Sequence, residues 1–185
     1  MTPGIEFPVE GIGDSGIRLR LLADADLPAL VELVQDPEIP RWTRIPSPYG
    51  PRDADDWFAL QARGQEQGAL LNLMVVERDN RILGSVGIVE LNWEEGRCEL
   101  GYWLGREARG RGVMTKAVRL LSAWIFESLP MDRITITAEP ENHASRTVAE
   151  RAGFTFEGVL RSYFVNKGVR RDAASYSLVR GELPS

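Results

Sequence analysis

The apolar positions of the chain change period several times, and each change marks an element. Ile17, Leu19 and Leu21 alternate with Arg18 and Arg20, the period-two pattern of a strand with one buried face. Leu27, Leu30, Val31 and Val34 then recur at helical spacing behind Asp24, a residue suited to capping, while Pro28 confines that helix to its first turn or kinks it. Residues 36–52 hold Pro37, Pro40, Pro46, Pro48 and Pro51, and this density of proline predicts an irregular loop. A second helix is expected over residues 53–67, carrying Trp57, Phe58 and Leu60 and ending at Gly68.

Residues 70–77 and 81–91 are apolar, β-branched runs joined by Arg78, Asp79 and Asn80, which predicts a hairpin. A turn at Glu94, Glu95 and Gly96 leads into a strand over 97–104 that ends in Tyr102 and Trp103. Val113, Ala117, Leu120, Leu121, Trp124 and Ile125 form one stripe of a long amphipathic helix that stops near Pro130. A strand over 133–138 follows, and this strand, helix, strand order favours a parallel pair. A short helix over 143–152, capped by Asn142 and closed by Gly153, precedes a final hairpin of residues 154–165 and 170–180 around Asn166, Lys167 and Gly168. The expectation is a mixed α/β fold: a mostly antiparallel seven-stranded sheet with its fourth and fifth strands parallel, and about four helices. One domain spans residues 1–185, with residues 1–16 read as a loosely ordered lead.

Composition narrows the partners. With 27 acidic against 22 basic residues the net charge is −5, which gives no general attraction to nucleic acid or anionic lipid and fits a cationic or amine partner better. The single Cys98 excludes a disulfide framework and a multi-cysteine zinc site, and the single His143 excludes a histidine metal cluster. No stretch of about eighteen apolar residues occurs and the start of the chain lacks a charged-then-apolar leader, so a soluble, cytoplasmic protein is expected.

The chemically informative stretch is Gly101-Tyr102-Trp103-Leu104-Gly105-Arg106-Glu107-Ala108-Arg109-Gly110-Arg111-Gly112-Val113-Met114-Thr115. It sets a glycine- and arginine-rich turn between a strand and the start of the longest helix, where backbone N–H groups lack partners and the helix dipole favours anions. Gly110 and Gly112 allow close backbone approach, Arg109 and Arg111 add charge, and Thr115 offers a hydroxyl in the first helical turn. A P-loop would need Lys then Ser or Thr where Arg111 and Gly112 stand, and a dinucleotide fingerprint would need glycine at Thr115. The competing reading is an ordinary turn with solvated arginines.

Arg109-Gly110-Arg111-Gly112-Val113-Met114 resembles the pyrophosphate-binding motif of the GCN5-related N-acetyltransferase (GNAT) superfamily. Glu99-Leu100-Gly101-Tyr102-Trp103-Leu104 is similar to the preceding strand in the branch of ribosomal-protein N-terminal (alanine or serine) acetyltransferases. So are the block Ala138-Glu139-Pro140-Glu141-Asn142-His143-Ala144-Ser145, running on to Arg151-Ala152-Gly153-Phe154, and the ending Leu160-Arg161-Ser162-Tyr163-Phe164 to Asp172-Ala173-Ala174-Ser175-Tyr176-Ser177-Leu178. The blocks are co-linear over residues 17–179. The resemblance implies acetyl transfer from acetyl-CoA (CoA) to an amine. The pantetheine arm would pair with the backbone of Tyr102, Trp103 and Leu104, and the pyrophosphate with N–H groups of Arg109, Gly110, Arg111, Gly112, Val113 and Met114, with Thr115 beside them. Asn142 would bond the pantetheine and Ser145 would lie near the sulfur. Three positions depart from the pattern: Met114 replaces a small residue, Lys116 an acidic one, and Ala149 a tyrosine proposed as general acid.

A protonated amine with a pKa of about ten is no nucleophile, so a base is needed. Glu99, on the strand that leads to the cofactor backbone, is the candidate, against a carboxylate merely paired to Arg97 or Arg133. Ser145 is the candidate acid or sulfur partner, against a plain first-turn serine, and Tyr163 is the runner-up acid. A Cys98–His143 hydrolase lacks any orienting third residue. Trp42, Trp57 and Phe58 either pack the helices or line an acceptor pocket, and Asp53, Asp55 and Asp56 either cap a helix or attract a cation. The expected partners are acetyl-CoA and an amine acceptor, either a protein N-terminus or a small molecule such as a polyamine, amino sugar or antibiotic. Neither nucleic acid nor membrane nor metal is expected, and a homodimer is left open. A non-catalytic acyl-CoA-binding module is the alternative from another class.

Overall fold

A computed structural model describes residues 4–14 and 16–183. The strands are β1 (Ile12–Gly13), β2 (Arg18–Leu21), β3 (Leu71–Val76), β4 (Ile82–Asn92), β5 (Arg97–Leu104), β6 (Arg133–Ala138), β7 (Thr155–Asn166) and β8 (Val169–Val179). They form one sheet in the order β1-β2-β3-β4-β5-β6-β8-β7. All neighbours are antiparallel except β5 and β6. Five helices cover the sheet: α1 (Leu27–Leu33), α2 (Glu38–Trp42), α3 (Pro51–Glu66), α4 (Val113–Ser128) and α5 (His143–Ala152). Among the described residues no helix is long and apolar enough to cross a membrane.

Both faces of the central strands are covered, so β3 reads as an almost continuous apolar run. Leu71, Leu73 and Val75 pack with Val118, Leu121 and Ile125 of α4, while Met74 and Val76 turn to the opposite layer, where Leu27, Leu30 and Val34 of the α1 region meet Tyr49 and Ala54. The same alternation along β5 buries Cys98 and Leu100 under α4 and turns Trp103 toward α1 and α3. Arg97, Glu99 and Gly101 share Trp103's face by that period.

Among the described residues the expected order of elements holds, with eight strands for seven and five α-helices for four. The added strand, β1, is two residues long and pairs Ile12 with Leu19. The added helix, α2, lies in the proline-rich segment read as irregular loop. Pro37 sits at its cap, where a missing N–H costs nothing, and Asp36 Oδ1 accepts the Glu38 N–H at 3.2 Å. A short 3-10 turn at Asp24–Asp26 precedes α1, whose Pro28 lies in the first turn, so this proline begins the helix rather than kinking it. The lead expected to be loosely ordered over residues 1–16 is packed over 4–14. Ile5 and Phe7 are buried, Phe7 lies edge-on to Trp124 at 4.9 Å, and Ile5 exchanges hydrogen bonds with Gln65 at 3.1 Å. Residues 1–3 and Ser15 of that lead lie outside the described residues.

Phe7→Ala should destabilise the fold by about 3 kcal/mol, the usual cost of emptying a buried phenylalanine site. Urea denaturation measures it, and an unchanged midpoint would show that the lead is not part of the core.

Candidate active site

Strands β5 and β6 pair in register only at Arg97 with Arg133, Cys98 with Ile134 and Glu99 with Thr135. Beyond Glu99 they part. Residues 100–104 keep β4 on one edge, and β6 continues along β8, so between them one edge of β5 offers main-chain N–H and C=O groups to a cleft. Buried backbone groups need partners, and an extended ligand bearing amides supplies them as a short added strand would. The cleft opens into a cavity of about 1050 Å³ that runs from α2 and α3 to the turn before α4. That is room for a cofactor and a second substrate.

At the α4 end of the cavity, Gly110 and Gly112 have φ of +73° and +74°, left-handed values that a side chain disfavours, and a Cβ at either would meet nothing within 4 Å. Gly112 caps α4 without a side-chain acceptor. The Lys116 amide donates to Gly112 O at 3.1 Å, whereas Val113, Met114 and Thr115 have no carbonyl four residues back within the helix. A 16-residue helix thus presents an uncapped first turn to the cavity, which suits an anion.

The arginine side chains of the turn are engaged within the protein. Arg109 donates through Nε and Nη2 to Leu104 O at 3.1 and 2.8 Å, and its Nη2 lies 2.8 Å from buried Asp36. Arg111 pairs with Glu77 at 2.7 Å. Both guanidinium charges are therefore countered, and the turn's main chain is what remains for a diphosphate. Leu104 O is likewise engaged, so the free edge of β5 lies chiefly before it. Asp36, which fixes Arg109 and caps α2, carried no sequence signal beyond a place among prolines.

Glu99 lies on the cavity wall, and Thr137 Oγ1 donates to its Oε1 at 2.5 Å. Burial raises its pKa above the ordinary carboxylate value, against smaller lowering by the Thr137 hydrogen bond and by Arg44 and Arg97. Neither proposed structural partner forms an ion pair with it: Arg97 lies with Glu95 and with Glu90 at 3.9 Å, and Arg133 donates to Glu157 at 3.0 Å. A parallel register joining Glu99 to Thr135 puts Thr137 one alternation further along the same face, a relation that neither strand discloses alone.

On the other side of the cleft, Asn142 caps α5 by accepting the Ser145 N–H at 3.1 Å, which leaves its Nδ2 hydrogens to offer. Tyr102 OH donates to Ser145 O at 3.0 Å and accepts from Ser145 Oγ at 3.1 Å, so the serine hydroxyl is held at the cleft. The phenol's pKa is pushed up by burial. Arg146 bridges Pro140 O and Tyr176 OH, both at 3.0 Å, and the Tyr176 hydroxyl donates to Glu150 at 3.0 Å, which steadies the loop that carries Asn142.

The remaining candidates separate clearly. Tyr163 is half-exposed on β7 and off the cavity wall, stacked edge-on with Phe164 at 6.4 Å, which removes it as runner-up acid. Ala149 is fully buried in the core. Cys98 is buried beneath α4 with its thiol pushed up to about 12, so it supplies no thiolate to His143. Asp53 accepts the Gly50 N–H at 2.8 Å, the helix-start role, while Asp56, Trp42 and Trp57 line the cavity.

The acetyltransferase (GNAT) domain model matches residues 17–155. The chain is 32% identical over 178 residues, 90% of its length and 92% of the relative's, to a Bacillus subtilis protein carried under the provisional name ribosomal N-acetyltransferase YdaF. Among solved structures, the microcin C7 self-immunity acetyltransferase MccE, in complex with acetyl-CoA and AMP, superposes with a TM-score of 0.85 at 26% identity over 92% of this chain and 96% of that one. The ribosomal L7/L12 alpha-N-protein acetyltransferase RimL, in complex with CoA, shares the fold at a TM-score of 0.83 and 20% identity, over 94% of this chain and 97% of that one.

A carbon-13 carboxyl titration should place Glu99 above the ordinary 4.5, and Thr137→Val should raise it further, because the hydroxyl lowers the value in the native protein. A value at or below 4.5, or a fall in the variant, would contradict the desolvation account.

Proposed function

The chain belongs to the GNAT acetyltransferase family and is an acetyl-CoA-dependent N-acetyltransferase, and we propose that it acetylates a primary amine of the protein N-terminal type by direct attack, with no covalent enzyme intermediate. The observation that carries this reading is the parting of β5 and β6 immediately after Glu99, between the uncapped start of α4 and the Ser145 end of α5. The cleft fits acetyl-CoA: unpaired β5 backbone suits the amides of a pantetheine arm, and the open space over Gly110 and Gly112 suits a diphosphate. Bound there, acetyl-CoA supplies an acetyl group activated as a thioester.

In this reading the main chain of Tyr102 and Trp103 orients the arm, the N–H groups of residues 110–115 hold the diphosphate, and Asn142 Nδ2 donates to an arm carbonyl. Glu99 takes the proton that an ammonium must lose before it attacks. Its pKa, raised by burial, makes it a stronger base than a solvated carboxylate. A free N–H on the β5 edge donates to the carbonyl oxygen as charge gathers there. Ser145 Oγ, held at the cleft by Tyr102, turns its hydrogen from the phenol oxygen to the departing sulfur and steadies the thiolate by a hydrogen bond. The provisional name of the Bacillus relative, a ribosomal N-acetyltransferase, supports a protein acceptor.

Thiol release from acetyl-CoA with a panel of amines and short peptides tests the reading. Glu99→Gln should lower kcat by roughly 10²- to 10⁴-fold, with CoA affinity held, and should remove the acid limb from the kcat profile. In the native protein that limb should lie above the ordinary carboxylate range, activity falling as the pH drops through it. Full activity of the variant across pH 6 to 9 would reject Glu99 as the base. Gly112→Glu should weaken CoA binding at least tenfold in calorimetry by placing a like charge on the anion turn, and unchanged affinity would reject that turn.

A further inference from the structure

The acceptor side of the cavity combines one carboxylate pair with uncovered apolar side chains. The β4–β5 register shifts between Ile88 and Glu90, so Val89 is the extra residue of a bulge opposite Glu99. Glu90 and Glu99 face each other across the strands, and Val89 leans onto the same face: a Cβ built on Gly101 would lie 2.7 Å from its Cγ1. The bulge therefore sets an isopropyl group beside two carboxylates. Across the cavity, α3 presents Trp57 and Leu60. Leu60 and Val89 are each 49% exposed although both stand on the cavity wall, which leaves their apolar surface open to whatever occupies it.

Glu90 keeps a long, exposed contact with Arg97 at 3.9 Å, and the other acidic residues around the cavity are more closely committed. Glu38 pairs with Arg41 at 3.2 Å and accepts from Trp42, Glu139 lies 3.4 Å from Arg171 and accepts from Asn166, and Asp53 caps Gly50. Asp56 is exposed, where water and salt screen it. Arg44 also lines the cavity and acts electrostatically on Glu99, which penalises a second ammonium nearby. The lining thus matches one positive charge on an apolar body better than a chain of charges or a polyhydroxylated ring.

From the Glu90–Glu99 pair beside Val89, Leu60 and Trp57, we infer that the acceptor is a monoamine bearing a bulky apolar group, either a free alkyl or aralkyl amine or the first residue of a peptide with a large apolar side chain. The inference rests on the reading of Glu99 as base and sharpens it. The ammonium meets the carboxylates, and the apolar body covers Val89, Leu60 and Trp57, removing their surface from water.

The test compares kcat/KM on the full chain for hexylamine, phenethylamine, putrescine, spermidine, glucosamine and tripeptides beginning with Leu, Phe, Ser or Ala. At least tenfold preference for the apolar members is expected, the small amines and the peptides deciding which source applies. Leu60→Gln, on the helix surface, should raise KM for the preferred apolar acceptor several-fold with little change in kcat, and should leave KM for putrescine unmoved. Equal or better use of putrescine, spermidine, glucosamine or the Ser and Ala peptides, while Glu99→Gln still abolishes turnover, would overturn the acceptor inference alone. Thiol release with none of these amines would overturn both readings.

Discussion

The site depends on two parallel strands that stay together for three residues and then separate. Because β5 is already paired with β4 and β6 with β8, each strand keeps one satisfied edge, and the sheet tolerates the parting without coming apart. The edge left open is costly unless something pairs with it, and that cost is what a ligand rich in amides removes. The turn that follows β5 extends the same logic. Left-handed glycines and an uncapped helix start leave another set of N–H groups unpaired, at the far end of the same cleft.

Charge is handled by separation. Arginines that look like phosphate ligands in the sequence are tied to carboxylates, Arg109 to Asp36 and Arg111 to Glu77, so they shape the turn while backbone dipoles face the cleft. At the opposite end Glu99 has a hydroxyl partner rather than a cation, which leaves desolvation as the dominant influence on its proton affinity. In the proposed reading a carboxylate held this way takes a proton from an ammonium, and the bulge that carries Val89 and Glu90 past it sets apolar and acidic groups side by side.

Local patterns in the sequence carry most of the fold. The period-two runs, the α4 stripe, the Asn142 cap and the Gly153 stop all appear in the structure where spacing predicts them, because each is decided within a few residues. The errors lie where distant contacts decide. Residues 4–14 are ordered by Trp124 and Gln65, which are far away in sequence, and α2 forms among prolines because Pro37 falls at a cap. The left-handed turn at Gly110 and Gly112 was legible because glycine spacing is a backbone property. The partners of Glu99, Ser145 and Arg109 were not, since Thr137, Tyr102 and Asp36 meet them only through the register of the sheet and the docking of α2.

Amide hydrogen exchange on the full chain, with and without CoA, tests the central claim most directly. Slowed exchange confined to the open edge of residues 100–104 and to the first-turn amides of residues 110–115 is the predicted result. Exchange unchanged at both stretches, with protection appearing elsewhere, would contradict it.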